Sequence, residues 1–247
     1  MAEHTEIARS PALLQGPPGL TERWWLERLV RLDGGAWCFQ PPTNRPDVNE
    51  SPAARDGFVT FLSTNKLAKV SDDTLELWRQ ILARSKRARL LIVTGGDQKR
   101  VRDALRGIER GRFELLERTT LDGYFLLHHR ADVLLDVLPH NGHTTSVDAL
   151  WMGVPVLTLA GEVHCSRLGA SLLSAIDLPQ FVCHTPEQYV EQAVSLEERI
   201  EELADLRRGM RDRLLRSKLT DGARLARSVE RAYREMWTHW CAGPERE

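Results

Sequence analysis

Short apolar runs alternate with longer amphipathic stretches along the chain from residue 57 onward. Runs that are apolar throughout predict strands buried on both faces, whereas apolar residues three or four positions apart predict helices. The predicted strands are residues 58–62, 90–93, 113–116, 133–138, 154–159 and 181–182. The predicted helices are residues 72–83, 101–108, 124–129, 147–151 and 166–175. This alternation predicts an α/β fold in which a Rossmann-like parallel sheet is flanked by helices, with ligands at the carboxyl ends of the strands.

The two flanks of this alternating region have different patterns. After a loose segment that ends near residue 19, a cluster of apolar residues predicts a helix: Trp24, Trp25, Leu29, Val30 and Leu32. A polar, proline-rich linker follows at residues 41–57. Thr185 is placed to cap one long charged helical stretch that runs to Leu214, and a last helix is predicted at residues 223–240. We therefore divide the chain into residues 1–56, 57–184 and 185–247.

Composition argues against several classes of protein: nucleic-acid-binding, membrane and disulfide-rich proteins. The 247 residues carry 34 Lys and Arg against 35 Asp and Glu, so no basic field indicates a nucleic-acid partner. No apolar run is long enough to cross a bilayer, and the N-terminus lacks a hydrophobic signal core, which predicts a cytoplasmic protein with no membrane partner. The four cysteines are widely spaced, which predicts reduced thiols rather than disulfides or a zinc ribbon.

Residues 132–162 are the most informative segment for chemistry. A buried strand ends at Pro139, and a polar loop at residues 140–145 leads directly into a helix. Free N–H groups at a helix N-terminus, the positive end of the helix dipole and the hydroxyls of Thr144 and Thr145 suit a phosphate or diphosphate. Asp148, one turn later, is placed to accept a hydrogen bond from a sugar hydroxyl. The alternative is an ordinary helix cap, because most such loops bind nothing.

The motifs around this loop follow a specific order. Leu-Asp at 135–136 precedes Asn-Gly-His-Thr-Thr at 141–145 and Asp-x-Leu-Trp-x-Gly-x-Pro at 148–155; Gly-Glu at 161–162, Ser-Arg at 166–167 and Ala-Ser at 170–171 follow. Further matches are residues 65–69, which contain an Asn-x-Leu-x-Lys pattern, and residues 233–237. This order resembles the catalytic region of the protein O-linked N-acetylglucosamine transferase and SPINDLY family, over most of the chain after residue 16.

The resemblance implies a fold and a division of the molecule. The family has the GT-B fold, in which two Rossmann-like lobes face each other across a cleft. This chain matches the C-terminal lobe: residues 1–56 correspond to a remnant of the N-terminal lobe and a linker, residues 57–184 to the nucleotide-sugar-binding lobe, and residues 185–247 to helices that brace it. The N-terminal lobe and the helical repeats of full-length relatives are expected on a separate chain that acts as a partner.

The resemblance also assigns roles to individual residues. Lys69 matches the lysine that contacts the donor diphosphate and stabilises the leaving group. His143 matches a histidine beside the donor sugar and diphosphate, and these two are the candidate catalytic residues. The other donor contacts are Thr144 and Thr145 to phosphate, Asp148 to ribose, Tyr124 at a base-stacking position that holds histidine in some relatives, and Asn65, which shapes the phosphate loop.

The implied activity is inverting transfer of N-acetylglucosamine from UDP-GlcNAc to serine or threonine hydroxyls of an acceptor protein, with no cofactor and no metal. Two alternatives stay open. One is a nucleotide-sugar-binding fragment or subunit that is catalytically incomplete, and the other is an O-fucosyltransferase of SPINDLY type. A different reading of the histidines makes His140, His143, Glu162 and His164 metal ligands. Their position on loops, without the helical spacing of a zinc motif, argues against that reading.

Overall fold

A computed structural model of the chain describes residues 7–12, 28–32, 35 and 37–242. Its strands are β1 (Ile7–Ala12), β2 (Arg28–Arg31), β3 (Thr60–Ser63), β4 (Arg89–Val93), β5 (Phe113–Leu116), β6 (Val133–Leu135), β7 (Val156–Leu159) and β8 (Val182–Cys183). Six of them form a parallel sheet in the order β5-β4-β3-β6-β7-β8, and β1 pairs with β2 in a separate parallel pair. The strand order reverses between β4 and β6, on either side of β3. The prediction of a Rossmann-like parallel sheet is confirmed.

Nine helices are present in the described part of the chain. They are α1 (Pro52–Asp56), α2 (Asp72–Arg84), α3 (Gln98–Ala104), α4 (Leu121–Leu127), α5 (Thr144–Trp151), α6 (Leu168–Ala175), α7 (Pro186–Ser195), α8 (Ile200–Leu215) and α9 (Gly222–Ala242). Side chains cap several N-termini: the hydroxyl of Ser71 accepts a hydrogen bond from the N–H of Thr74, and Thr185 accepts one from Gln188, as predicted. Helix α2 buries Leu75, Trp78 and Leu82 at helical spacing, as the prediction of a helix over residues 72–83 requires.

The N-terminal flank differs from its prediction in two places. Leu29 and Val30 lie in strand β2 and not in a helix, because pairing with β1 satisfies the backbone of this short apolar segment. Leu32 follows this strand and is not helical either, whereas Trp24 and Trp25 lie outside the described residues. The linker contains helix α1, which the buried carboxylate of Asp132 holds by accepting hydrogen bonds from the N–H groups of Ala53 at 2.8 Å and Thr60 at 2.9 Å.

Several helix boundaries also differ from the prediction, and two of these differences have a clear side-chain cause. The long stretch after Thr185 is two helices, α7 and α8, separated by a 3₁₀ turn at Leu196–Glu198. The break lets the carboxylate of Glu197 accept hydrogen bonds from the N–H groups of Lys86, Arg87 and Ala88. Helix α3 begins earlier than predicted because the side chain of Asp97 caps it, accepting from the N–H of Arg100 at 3.1 Å.

Helix α8 ties the linker to the sheet through buried arginine. Arg207 is 2% exposed and donates to the carbonyl oxygens of Asn49, Ala131 and His128 at 2.8–2.9 Å, and to the side-chain oxygen of Asn49. One turn on, Arg211 donates to the carbonyl of Trp151 at 2.9 Å. Segment 46–49 is therefore fixed against the lobe by charge-assisted hydrogen bonds.

Helix α9 leaves an aromatic face uncovered. Tyr233, Trp237 and Trp240 are each 67% exposed, so they do not pack within this part of the chain. Within the described ranges, no helix combines the length and apolar character needed to cross a membrane. The four cysteines are free thiols, with Cys183 buried and Cys38 and Cys241 exposed.

Candidate functional site

The side chain of Asp136 holds the loop after β6 in place by hydrogen bonds. This fully buried carboxylate accepts hydrogen bonds from the N–H of Gly142 at 2.6 Å, the N–H of Val137 at 2.9 Å and the hydroxyl of Thr158 at 2.7 Å. Burial raises the pKa of Asp136 to about 6, while these hydrogen bonds and the charge of Lys69 act in the opposite direction. Asp136 thus joins the core strands to the loop that carries the candidate phosphate site.

Helix α5 begins at Thr144 without a side-chain cap. Its N-cap residue is His143, and no side chain of the described chain accepts from the first turn at that position. The hydroxyl of Thr145 donates to the side-chain oxygen of Asn65 at 3.4 Å, which links the loop after β3 to the helix. The predicted phosphate site therefore has its N–H groups, its helix dipole and two hydroxyls at one helix end.

Lys69 lies at the same end of the sheet, in a 3₁₀ turn at Leu67–Lys69 that follows β3. It is half-buried, and its positive charge acts on both histidines of the loop. Burial lowers the pKa of His143, and the charge of Lys69 lowers it further. His143 is accordingly a neutral imidazole near pH 7. One of its ring nitrogens donates a hydrogen bond and the other accepts one, and the tautomer decides which is which.

Tyr124 on α4 and Asp148 on α5 form a hydrogen-bonded pair beside the loop. The hydroxyl of Tyr124 donates to a carboxylate oxygen of Asp148 at 3.1 Å. The ring packs edge-on against Phe125 and His128, with centroids 5.2 and 5.1 Å apart. Burial and the negative charge of Asp148 raise the pKa of Tyr124, so its hydroxyl stays protonated. The ring of Tyr124 is held by its contacts with Phe125 and His128, and its hydroxyl orients Asp148.

A cavity of about 540 Å³ joins these elements at the carboxyl ends of the strands. Its lining includes six of the seven predicted site residues: Asn65, Lys69, Tyr124, His143, Thr144 and Thr145. The seventh, Asp148, accepts a hydrogen bond from Tyr124, which lines the cavity. Another cavity, of about 630 Å³, lies beside α8 and contains none of the predicted residues. The predicted residues thus converge in space at this cavity.

Several residues at the site were absent from the prediction. The ring of Trp37 lies over His143, with centroids 3.6 Å apart and an angle of 43° between the planes. Lys66, Leu121 and Arg118 line the cavity itself. Lys66 could have been found from its place beside Asn65. Trp37 gave no signal, because it stands more than a hundred positions before His143 in a segment without a motif.

The alternative of a metal centre has no geometric support in the described part of the chain. There, no three side chains of the types His, Cys, Asp and Glu converge as ligands. His140 and His164 lie near each other, since burial lowers the pKa of His164 and the charge of His140 lowers it further. Elemental analysis of the purified protein is the measurement that decides whether metal is bound.

Replacing Gly142 by alanine is expected to weaken ligand binding at this site more than it weakens the fold. An added Cβ would lie 2.5 Å from the hydroxyl oxygen of Ser146 and 2.7 Å from that of Thr145, so both hydroxyls must turn away. We expect a loss of about 1 kcal/mol in unfolding free energy and a several-fold weaker affinity for a nucleoside diphosphate. Gly209→Ala, where the Cβ meets open space on α8, is the control. Unchanged affinity in Gly142→Ala would contradict the placement of Thr145.

Replacing Asp136 by asparagine is expected to change how stability depends on pH. The folded-state pKa of about 6 lies above the ordinary value of 3.8, so the native protein holds a proton that the unfolded chain releases. The contribution of this group to the unfolding free energy therefore falls as pH rises through that window. Between about pH 4.5 and about pH 7.5, the variant should gain on the order of 2 kcal/mol relative to the wild type. Denaturant unfolding at both values measures this, and a pH-independent difference would refute it.

Comparison with known proteins identifies similar sequences. The profile of glycosyl transferase family 41 matches residues 52–229. The chain is 34% identical over 235 residues to a probable UDP-N-acetylglucosamine–peptide N-acetylglucosaminyltransferase SPINDLY of Solanum lycopersicum, covering 92% of this chain and 25% of that protein. It is 29% identical over 192 residues to a UDP-N-acetylglucosamine–peptide N-acetylglucosaminyltransferase of Caenorhabditis elegans, covering 76% of this chain and 17% of that protein. The chain spans about a quarter of the length of the curated SPINDLY relatives it matches.

Solved structures show the same relationship. A mutant of the O-GlcNAc transferase of Thermobaculum terrenum superposes with a TM-score of 0.79 at 35% identity, over 92% of this chain and 44% of that one. A mutant of TarM from S. aureus superposes with a TM-score of 0.59 at 10% identity, over 85% of this chain and 40% of that one, which shows a shared fold alone. The resemblance inferred from the motifs and the expected GT-B lobe are both confirmed.

Proposed function

Because this chain belongs to glycosyl transferase family 41, we propose that it is the donor-binding lobe of an enzyme that transfers N-acetylglucosamine from UDP-GlcNAc to protein serine or threonine hydroxyls, with inversion. The observation that carries the proposal is the convergence of Lys69, His143, Thr144 and Thr145 at the uncapped N-terminus of α5. A helix N-terminus, two hydroxyls and a lysine are the groups that hold a diphosphate.

The chemistry follows from where charge develops. As the sugar leaves, negative charge builds up on the diphosphate, and donors already in place lower the energy of that state. Lys69 and the N–H groups of α5 supply those donors, so the proposal needs neither a metal nor another cofactor. His143, neutral and half-buried, is placed to hydrogen-bond the sugar or its phosphate oxygen. Asp148, oriented by Tyr124, is placed to accept from a ribose hydroxyl.

The proposed organisation places residues 57–184 as the lobe that binds the donor and residues 185–247 as helices that brace it. Residues 1–56 then form the linker and the remnant of a second lobe. A protein acceptor needs a second wall, which another part of the enzyme or a separate chain would supply. The cytoplasmic location remains a prediction from the sequence.

A second candidate is a binding module that holds the donor without transferring it. The predicted residues that converge at the cavity all have proposed roles in holding the donor, which favours keeping this candidate. A third keeps the fold and the transfer but uses a fucose donor, as proposed from the SPINDLY resemblance. The three candidates differ in the nucleotide that binds and in whether turnover follows.

Calorimetric titration of the chain with UDP and with GDP tests the proposal, followed by incubation with UDP-GlcNAc and a serine-containing peptide. Saturable UDP binding and a peptide mass increased by one N-acetylhexosamine would support transfer. UDP binding without transfer would favour the binding module, whereas a preference for GDP would favour the fucose donor. If neither nucleotide binds, the proposed donor site is wrong.

A further inference from the structure

Arg118 is a cation in the cavity that none of the assigned roles uses. It lies in the loop between β5 and α4 and lines both the 540 Å³ cavity and a neighbouring cavity of about 390 Å³. Among the residues that the structure describes, it has no hydrogen-bond or ion-pair partner, whereas Arg100 nearby is bound to Asp72 at 2.7 Å. Its guanidinium donors are therefore available to a ligand.

The position of Arg118 depends on a glycine. A Cβ at Gly95 would lie 2.5 Å from the Nε of Arg118 and 3.0 Å from its Cδ, so the arginine packs where a side chain would otherwise stand. Gly96, the next residue, has open space around it. The side chain thus rests against backbone, and this contact directs it along the boundary between the two cavities.

The order of groups along the cavity indicates which part of a nucleotide Arg118 would meet. With the diphosphate at Lys69 and α5 and the ribose at Asp148, the base is the next group along the ligand. Arg118 lies on the loop that leads into α4, the helix that carries Tyr124. The apolar side chains of Leu121, Leu127 and Val93 line the same cavity and suit the faces of a base. A polar edge of the base would then be read by Arg118.

We propose that Arg118 is a specificity-determining residue that donates hydrogen bonds from its guanidinium to a carbonyl oxygen of the donor nucleobase. The inference rests on the proposed function and names one feature of its ligand, a keto group on the base edge. Guanidinium carries only donors, so it pairs with the O4 of uracil or the O6 of guanine. The amino groups of cytosine and adenine are donors too, and they meet Arg118 unfavourably.

The test compares UDP with CDP, which differ at this edge by a carbonyl against an amino group. The wild type should bind UDP about tenfold or more tightly than CDP in calorimetric titration. In Arg118→Ala the ratio should fall towards one, mainly because UDP binds more weakly. Arg118→Lys keeps the charge and loses the planar fork, so it should recover only part of the ratio. Arg102→Ala, on the exposed face of α3, is the matched control and should behave as the wild type.

The outcomes separate this inference from the proposed function. If Arg118→Ala weakens UDP and CDP equally, the arginine contacts phosphate and the inference fails while the donor site stands. If the ratio of the wild type is already close to one, or Arg118→Ala leaves it unchanged, the inference also fails. If the wild type binds no nucleoside diphosphate at all, the proposed function is wrong, and the inference that rests on it is wrong as well.

Discussion

Lys69→Ala should bind UDP about tenfold more weakly than the wild type, and in an assembly that transfers sugar it should lower turnover on the order of a hundredfold. Lys69 sits half-buried beside His143 and α5, where its charge acts through protein and little water. Removing it leaves the diphosphate with the helix N-terminus and hydroxyls alone. The effect on turnover is larger because the charge on the leaving group grows in the transition state.

The measurement is calorimetric titration with UDP, together with initial rates wherever transfer is detected. Lys69→Arg keeps a cation and should recover part of the UDP affinity, though its broader fork fits the turn at Leu67–Lys69 less well. Lys99→Ala removes an exposed lysine paired with Asp103 on α3 and serves as the control. UDP binding of Lys69→Ala at wild-type strength would show that this lysine does not contact the diphosphate.

Arg207→Ala should lower the unfolding free energy by roughly 3–5 kcal/mol, the largest stability effect among the substitutions considered, because it truncates a buried charged side chain. Arg207 is almost fully buried and supplies donors to three backbone carbonyls, of Asn49, Ala131 and His128. Burial lowers its pKa to about 10, and the charge of Asp132 opposes that shift, so the guanidinium is charged at neutral pH. Truncation leaves these carbonyls buried without a donor.

Denaturant unfolding of Arg207→Ala beside Arg208→Ala provides a matched comparison. Arg208 is the next residue on α8, is exposed, and pairs with Asp205 at the surface. Its loss should change the unfolding free energy by less than about 1 kcal/mol. Similar effects for the two variants would mean that segment 46–49 is not held by Arg207. A shorter cation, in Arg207→Lys, cannot reach all three carbonyls and should fall between them.

The order of strands and helices was predictable because each apolar run is short and is separated from the next by polar turns. The runs at 90–93 and 113–116 became β4 and β5 with little change. Contacts far apart in sequence explain the differences. The break before α8 depends on Glu197 reaching residues 86–88, and α1 depends on Asp132, which no local pattern reveals.

The residues of the candidate site also divide into those that the local sequence predicts and those that depend on contacts far apart in sequence. The loop and the start of α5 were visible in sequence, because a polar loop entering a helix suggests a phosphate site whatever the fold. Lys69 and Tyr124 came from the resemblance, and the parallel sheet brings them to the same edge. Trp37 and Arg118 could not be predicted. Their place depends on a ring contact with His143 and on the absence of a side chain at Gly95.

The hydrogen bond between Tyr124 and Asp148 bears on the entropy of binding. A side chain that a ligand must immobilise costs about 0.5–1.5 kcal/mol of association free energy. Here the Asp148 carboxylate is already oriented by the Tyr124 hydroxyl at 3.1 Å, and Asp148 keeps a second oxygen for another donor. The ribose would therefore meet an acceptor whose rotamer is already set. Ordering the Asp148 side chain would then add little to the entropic cost of binding.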